Sequence, residues 1–265
     1  MRAKLFASVA GMLALVAGVV AHADEERILL PTRPGVTELL LVTPAQGTPV
    51  ASLVLFNGSP GVLFQRDGSG QATALNGQNF LIRSRMAFAA AGFLVASADA
   101  PSDHLRGIDE FRSAAAHAQD VAAVIAYLRQ RAPVPVWLVG TSMGTISAAN
   151  AAARLKPGGP DGLVLTSSVT TQTRHSVPVN IAVDVDAITV PTLFIHNKED
   201  NCVAASFGGV APLMELFKHV PRKELIVVEG GNSPKGDPCA PISRHGYFGI
   251  EDEVVGDIAR WIKGG

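Results

Sequence analysis

The sequence predicts an α/β fold, with a central, mainly parallel sheet of about eight strands and helices on both faces. Three observations carry that expectation. Short apolar runs alternate along the chain with longer segments whose apolar residues recur at three- and four-residue spacing. No internal repeat, low-complexity tract or long linker divides the 265 residues. Hydrophobic residues make up 48% of the chain, enough to bury a sizeable core.

The elements follow in order. Residues 39–42 and 51–56 read as early strands, separated by the turn-rich stretch 44–49. A helix over 80–91 stops at Gly92, which tolerates the left-handed backbone of a helix end. Residues 93–98 form the next strand. A long amphipathic helix covers 111–131, with Val121, Val124, Ile125 and Leu128 along one face. Residues 136–139 are a buried strand, and 145–156 a helix of small side chains. Short strands at 162–165 and 192–195 precede a helix over 210–219 and a strand at 225–228. The closing helix, 251–263, gathers Val254, Val255, Ile258, Trp261 and Ile262 into one apolar face. Such stripes belong to the core.

The first residues read as an export signal. Arg2 and Lys4 precede an uncharged apolar stretch from Leu5 to Val20, and Ala21-His22-Ala23 offers small residues where a signal peptidase cuts. Cleavage is expected after Ala23, giving a periplasmic or secreted protein with one domain over 24–265. The apolar stretch is shorter than the ~20 residues that a spanning helix needs, so no stable membrane anchor is expected. Without residues 1–23 the chain holds 20 basic and 23 acidic residues, a net charge of −3. With no basic block, nothing suggests a nucleic-acid partner. Cys202 and Cys239 are the two cysteines, and an even pair in an oxidising compartment reads as one disulfide.

The chemistry concentrates in Gly140-Thr141-Ser142-Met143-Gly144, which lies between a buried strand and a small-residue helix. A serine hydroxyl is a poor nucleophile unless it is held exposed beside a base. A tight strand-to-helix turn holds it so, and Gly140 and Gly144 remove the side chains that would clash there.

In this motif and its context the chain resembles the α/β-hydrolase superfamily, over nearly all of residues 24–265. The resemblance implies the α/β-hydrolase fold and a triad in the chain order Ser, Asp, His. Asn197-Lys198-Glu199-Asp200 follows a late strand and is similar to the family's Gly-x-x-Asp turn, with Asn for Gly. Asp200 is therefore the expected acid, with Glu199 and then Asp186 as rivals. His245-Gly246-Tyr247-Phe248 resembles the family's His-Gly-Phe and lies before the last helix, which makes His245 the expected base. His219 precedes the last strand and falls at the wrong end of the sheet. His196 reads as packed or exposed, and His175 could approach the pocket without any mark of a base.

Asn57-Gly58-Ser59-Pro60 is similar to the family's His-Gly-x-Pro. That likeness makes the Ser59 N–H one oxyanion donor, with Gly58 as the alternative, and the Met143 N–H the other. Asp99 to His104 reads as a structural turn that could border the pocket. Asp103 and His104 have no further ligand at suitable spacing, so neither a metal nor a cofactor is expected. The implied substrate is a small molecule with a carboxylic ester or related acyl bond. Peptidase, amidase and acyltransferase chemistry are compatible with the same triad, as is a ligand-binding protein that has lost turnover. Only a short segment separates the strand at 162–165 from Pro191, where many family members insert a lid, so a rather open site is expected. Oligomeric state is not legible.

Overall fold

The computed structural model describes residues 24–264, so the expected export signal and its cleavage point lie outside the described residues. In chain order the strands are β1 (Glu26–Arg33), β2 (Val36–Thr43), β3 (Ala51–Phe56), β4 (Phe64–Arg66) and β5 (Ala72–Leu75). They continue as β6 (Phe93–Pro101), β7 (Val136–Thr141), β8 (Gly162–Thr166), β9 (Thr192–Asn197) and β10 (Lys223–Val228). The helices are α1 (Phe80–Arg83), α2 (Arg85–Ala90), α3 (Ala115–Arg131) and α4 (Gly144–Arg154). Then come α5 (Val179–Ala182), α6 (Val210–Glu215) and α7 (Glu251–Lys263).

Eight strands form one sheet in the order β1-β2-β6-β3-β7-β8-β9-β10, while β4 and β5 make a separate hairpin. β1 and β2 are antiparallel to their neighbours, and every pair from β6 to β10 is parallel. The chain runs from β3 to β6 on one side, then crosses to β7 on the other. Strand order therefore reverses at β3, and a crevice opens beyond the carboxyl ends of β3 and β7, where open α/β sheets bind their ligands.

Alternate residues of each strand feed two cores. On one face Val54, Leu138, Leu165 and Phe194 pack against α3, α4 and α6. On the other, Leu53, Val139, Val164 and Ile195 meet α1, α2 and α7, with the Trp137 and Trp261 rings edge-on at 5.5 Å. Each such side chain withdrawn from water contributes about 1.5–3 kcal/mol before entropy is counted. In α4, Ala148, Ala149, Ala151 and Ala152 are all buried, and their small size lets the helix lie close to the sheet.

Several boundaries depart from the sequence expectation. The 80–91 helix divides at Ser84, whose N–H donates to the Phe80 carbonyl at 3.0 Å while the Arg85 guanidinium takes the Ile82 carbonyl. The 111–131 helix begins only at Ala115, because Phe111 and Arg112 are drawn into other contacts. Phe111 stacks on His104 at 3.9 Å, and Arg112 turns wholly inward. The 210–219 helix ends at Glu215, after which Leu216 and Phe217 bond three residues back. β1, β4 and β5 leave no strand signal in the sequence: β1 carries Pro31 and two arginines on an edge, and β4 and β5 are too short to show a period.

Candidate active site

Ser142 stands between the end of β7 and the start of α4 with φ 53, a left-handed backbone that a non-glycine residue rarely adopts. The turn closes because its neighbours have no side chains. A Cβ on Gly140 would lie 2.4 Å from the Gly144 carbonyl oxygen, and one on Gly144 would lie 2.1 Å from the Phe56 carbonyl oxygen. The Ser142 N–H is bonded to the Thr166 carbonyl at 3.1 Å, and the Ser142 carbonyl accepts from the Thr145 N–H and hydroxyl. Contacts to β8 and α4 thus hold the strained residue in place.

Asp200 lies just beyond β9, with its side chain fully buried. Its Oδ1 accepts from the Cys202 N–H at 2.8 Å and its Oδ2 from His245 Nδ1 at 2.7 Å. His196 Nε2 stands 3.4 Å from the same Oδ2 while donating to the Ala205 carbonyl at 2.9 Å. Burial alone would raise the Asp200 carboxyl, but the histidines and the Cys202 N–H outweigh it and lower its pKa to about 2. The carboxylate is thus ionised at neutral pH and holds the proton of His245 on Nδ1, which leaves Nε2 as the basic nitrogen of the neutral ring. Nε2 is buried without a hydrogen-bond partner among the described residues.

Ser142 and His245 line one cavity of about 280 Å³, with Asn57, Gly58, Ser59 and Met143. No hydrogen bond joins Ser142 Oγ to His245 Nε2 here, a contact that free enzymes often tighten only around substrate. Gly58 passes close above the serine: a Cβ there would lie 3.2 Å from Ser142 Cβ. The N–H groups of Ser59 and Met143 have no acceptor among the described residues. Cys202 and Cys239 form a disulfide with a Cα separation of 4.5 Å, and both cysteines line the cavity.

The other candidates fall elsewhere. Glu199 accepts from the Gly230 N–H and pairs with Arg244, while Asp186 and His219 pair with each other at the surface. His175 lines the cavity from the short segment before α5 but is exposed. Asp99 is buried against the Leu63 and Ala100 N–H groups and Arg66, and Asp103 pairs with Arg33 and His104. Neither residue lines the Ser142 cavity. Among the described residues no cluster of His, Cys, Asp or Glu is arranged to hold a metal ion.

No protein-family model and no curated protein sequence matches the chain. Solved structures do. An esterase from Pyrococcus furiosus superposes with a TM-score of 0.61 at 14% identity, over 91% of this chain and 92% of its own. A lidless α/β serine hydrolase from Xanthomonas campestris gives 0.59 at 14% identity, over 92% and 98%. A cold-adapted esterase from an Arctic intertidal metagenomic library gives 0.54 at 17% identity, over 89% and 92%. The chain has the α/β-hydrolase fold.

Within this α/β-hydrolase fold, several further residues secure the loop that carries His245. Tyr247, fully buried with φ 57, donates its hydroxyl to the Ile195 carbonyl at 2.8 Å and accepts from the Ser167 N–H at 3.0 Å. Ser167 Oγ donates to the His245 carbonyl at 2.7 Å, and Ser243 Oγ accepts from the His245 N–H at 3.1 Å. Arg83, from α1, reaches the carbonyls of Gly246 and Pro241. Tyr247 belongs to the motif around His245, whereas Arg83, Ser167 and Ser243 carry no sequence mark and only the three-dimensional contact identifies them.

Proposed function

We propose that this chain is a serine hydrolase that cleaves a carboxylic ester or a related acyl bond through an acyl-enzyme on Ser142. One observation carries the reading: a nucleophile-type turn at Ser142 opens onto the same cavity as a histidine whose Nδ1 is bonded to a buried, ionised aspartate. The structural neighbours support a hydrolase at the level of fold. In this reading Ser142 Oγ attacks the acyl carbon while its proton passes to His245 Nε2, and Asp200 stabilises the resulting imidazolium. The carbonyl oxygen becomes an oxyanion between the Met143 and Ser59 N–H groups. Collapse expels the alkoxide, which takes the proton from Nε2 and leaves as the alcohol. Water then adds to the acyl-Ser142 ester by the same route, and the carboxylic acid departs.

The disulfide supports an oxidising compartment, in keeping with the export signal read in residues 1–23. Turnover of short- and long-chain esters, amides and lactones, with Ser142→Ala as control, tests the proposal. We expect rapid hydrolysis of a short activated ester, lost at least ~10³-fold in a folded Ser142→Ala protein. A wild type that turns over none of these substrates, or a Ser142→Ala protein as fast as wild type, would overturn it. Amides cleaved faster than esters would place the protein with the amidases.

A further inference from the structure

Arg112 is an arginine with no exposed surface, placed behind the loop that crosses Ser142. Taking a guanidinium out of water is costly unless its donors are used. Here they are used on three different elements. Nη2 donates to the Gly58 carbonyl at 2.9 Å, Nη1 to Ser147 Oγ in α4 at 3.0 Å, and Nε to Asp109 Oδ1 at 3.1 Å. The other carboxylate oxygen of Asp109 accepts the Ser59 hydroxyl. Gly61 makes the approach possible, since a Cβ there would lie 2.7 Å from Nη2.

These contacts converge on one peptide group. The Gly58 carbonyl accepts from Arg112 and also from the Gly61 N–H at 2.8 Å. In a planar trans peptide the C=O and the following N–H point in opposite directions. Fixing the Gly58 carbonyl toward Arg112 therefore turns the Ser59 N–H to the opposite side. That N–H has no acceptor among the described residues, and both Gly58 and Ser59 line the cavity with Ser142. A charged donor on the carbonyl also polarises the peptide and strengthens its N–H as a donor. The bond to Ser147 ties the same guanidinium to the helix that begins beside Met143, which carries the second candidate donor.

We propose that Arg112 is a positioning residue for the oxyanion site, holding the Gly58–Ser59 peptide so that the Ser59 N–H meets the negative charge that develops on the substrate. The proposal rests on the serine-hydrolase reading above. It differs from a purely structural role in what it makes Arg112 responsible for: stabilisation of the tetrahedral state, not binding of the ground state.

The test compares wild type with Arg112→Met and Arg112→Lys in the full protein. It reads kcat and KM for a short ester, inhibition by an alkylboronic acid that forms a tetrahedral adduct on the serine, and the melting temperature. We expect Arg112→Met to lower kcat about 10²-fold with KM changed less than about 3-fold. Boronate affinity should fall in step with kcat/KM. Arg112→Lys, which keeps the charge but cannot span all three acceptors, should recover part of both losses. A folded Arg112→Met protein with wild-type kcat and boronate affinity would overturn the proposal, and so would a loss confined to KM. If Arg112→Met does not fold, Arg112→Lys decides on the same criteria, with wild-type kcat and boronate affinity as the overturning result. A wild type inert toward every ester would remove this proposal along with the hydrolase reading, whereas an active wild type with unaffected variants removes this proposal alone.

Discussion

The elbow at Ser142 is held through backbone, with the Ser142 N–H on the Thr166 carbonyl and Gly144 pressed against Phe56 at the end of β3. The His245 loop is held mainly by side chains: Arg83 from α1, Ser167 after β8, Asp200 after β9, and its own Tyr247 on a carbonyl of β9. At the elbow, two missing side chains let the backbone of α4 close against β3 and β7, with would-be Cβ contacts of 2.1–2.4 Å. At the His245 loop, the contacts are polar and covalent: Asp200, Ser167, Tyr247, Arg83 and the Cys202–Cys239 bridge. The elbow is therefore fixed by steric fit and tolerates no added atom. The His245 loop depends on many separable bonds and should loosen by degrees.

Gly144→Ala gives the sharpest contrast. Its methyl group would press on the carbonyls of Phe56 and Asn57, both backbone, so neither neighbour can rotate away. We expect a loss of stability of at least about 3 kcal/mol together with loss of turnover, measured by denaturant unfolding and ester hydrolysis. An active, stable Gly144→Ala protein would show that the elbow is looser than its contacts imply.

Opening the bridge between Cys202 and Cys239 should act on the other region. Closing a loop across a sequence separation of 37 stabilises the fold by about 3–4 kcal/mol on the chain-entropy model. Paired Cys→Ala replacement should then lower the melting temperature by roughly 6–16 °C for a domain of this size. Turnover should decline while the elbow persists, with kcat affected more than KM. An unchanged melting temperature would mean that the polar contacts alone hold the loops together.

Acid should also distinguish the two regions. The Asp200 pKa falls from 3.8 to about 2 on folding, so the native state binds fewer protons than the unfolded chain in that window. Stability from this group is fully present above about pH 4 and is lost as pH falls through about 2, on the order of 2 kcal/mol in all. Asp200→Asn should flatten that part of the stability curve, while a change at the elbow should leave it in place. Equal acid dependence in wild type and Asp200→Asn would assign the titration to another group.

The same contrast governs what the sequence reveals. The elbow is legible because its physical requirement is local: two glycines around a serine, between a strand and a helix. The alternation of strands and helices is legible for a similar reason, since each buried face repeats with its own period. Asp200 and His245 could be placed only through the chain order that the resemblance implied, and their contact spans 45 residues. The bonds from Ser167 to His245, from Tyr247 to Ile195 and from Arg112 to Gly58 leave no periodic trace at all. Arg112 even obscured its own element, because the expected helix start at 111 gives way to a turn that delivers the guanidinium inward. For His196 the sequence leaves packed and exposed positions open; it is fully buried, and its Nε2 shares the Asp200 oxygen with His245.

The central claim is that Ser142 is a nucleophile activated by His245. Labelling with a fluorophosphonate ester tests it most directly, because the reagent needs an activated serine but no knowledge of the natural substrate. Intact-mass analysis and peptide mapping should find one adduct per chain, on the peptide that contains Ser142. The labelling rate should fall at least ~10²-fold in a folded His245→Ala protein, within the range that general-base catalysis contributes. An adduct on another residue, or equal labelling rates with and without His245, would contradict the claim.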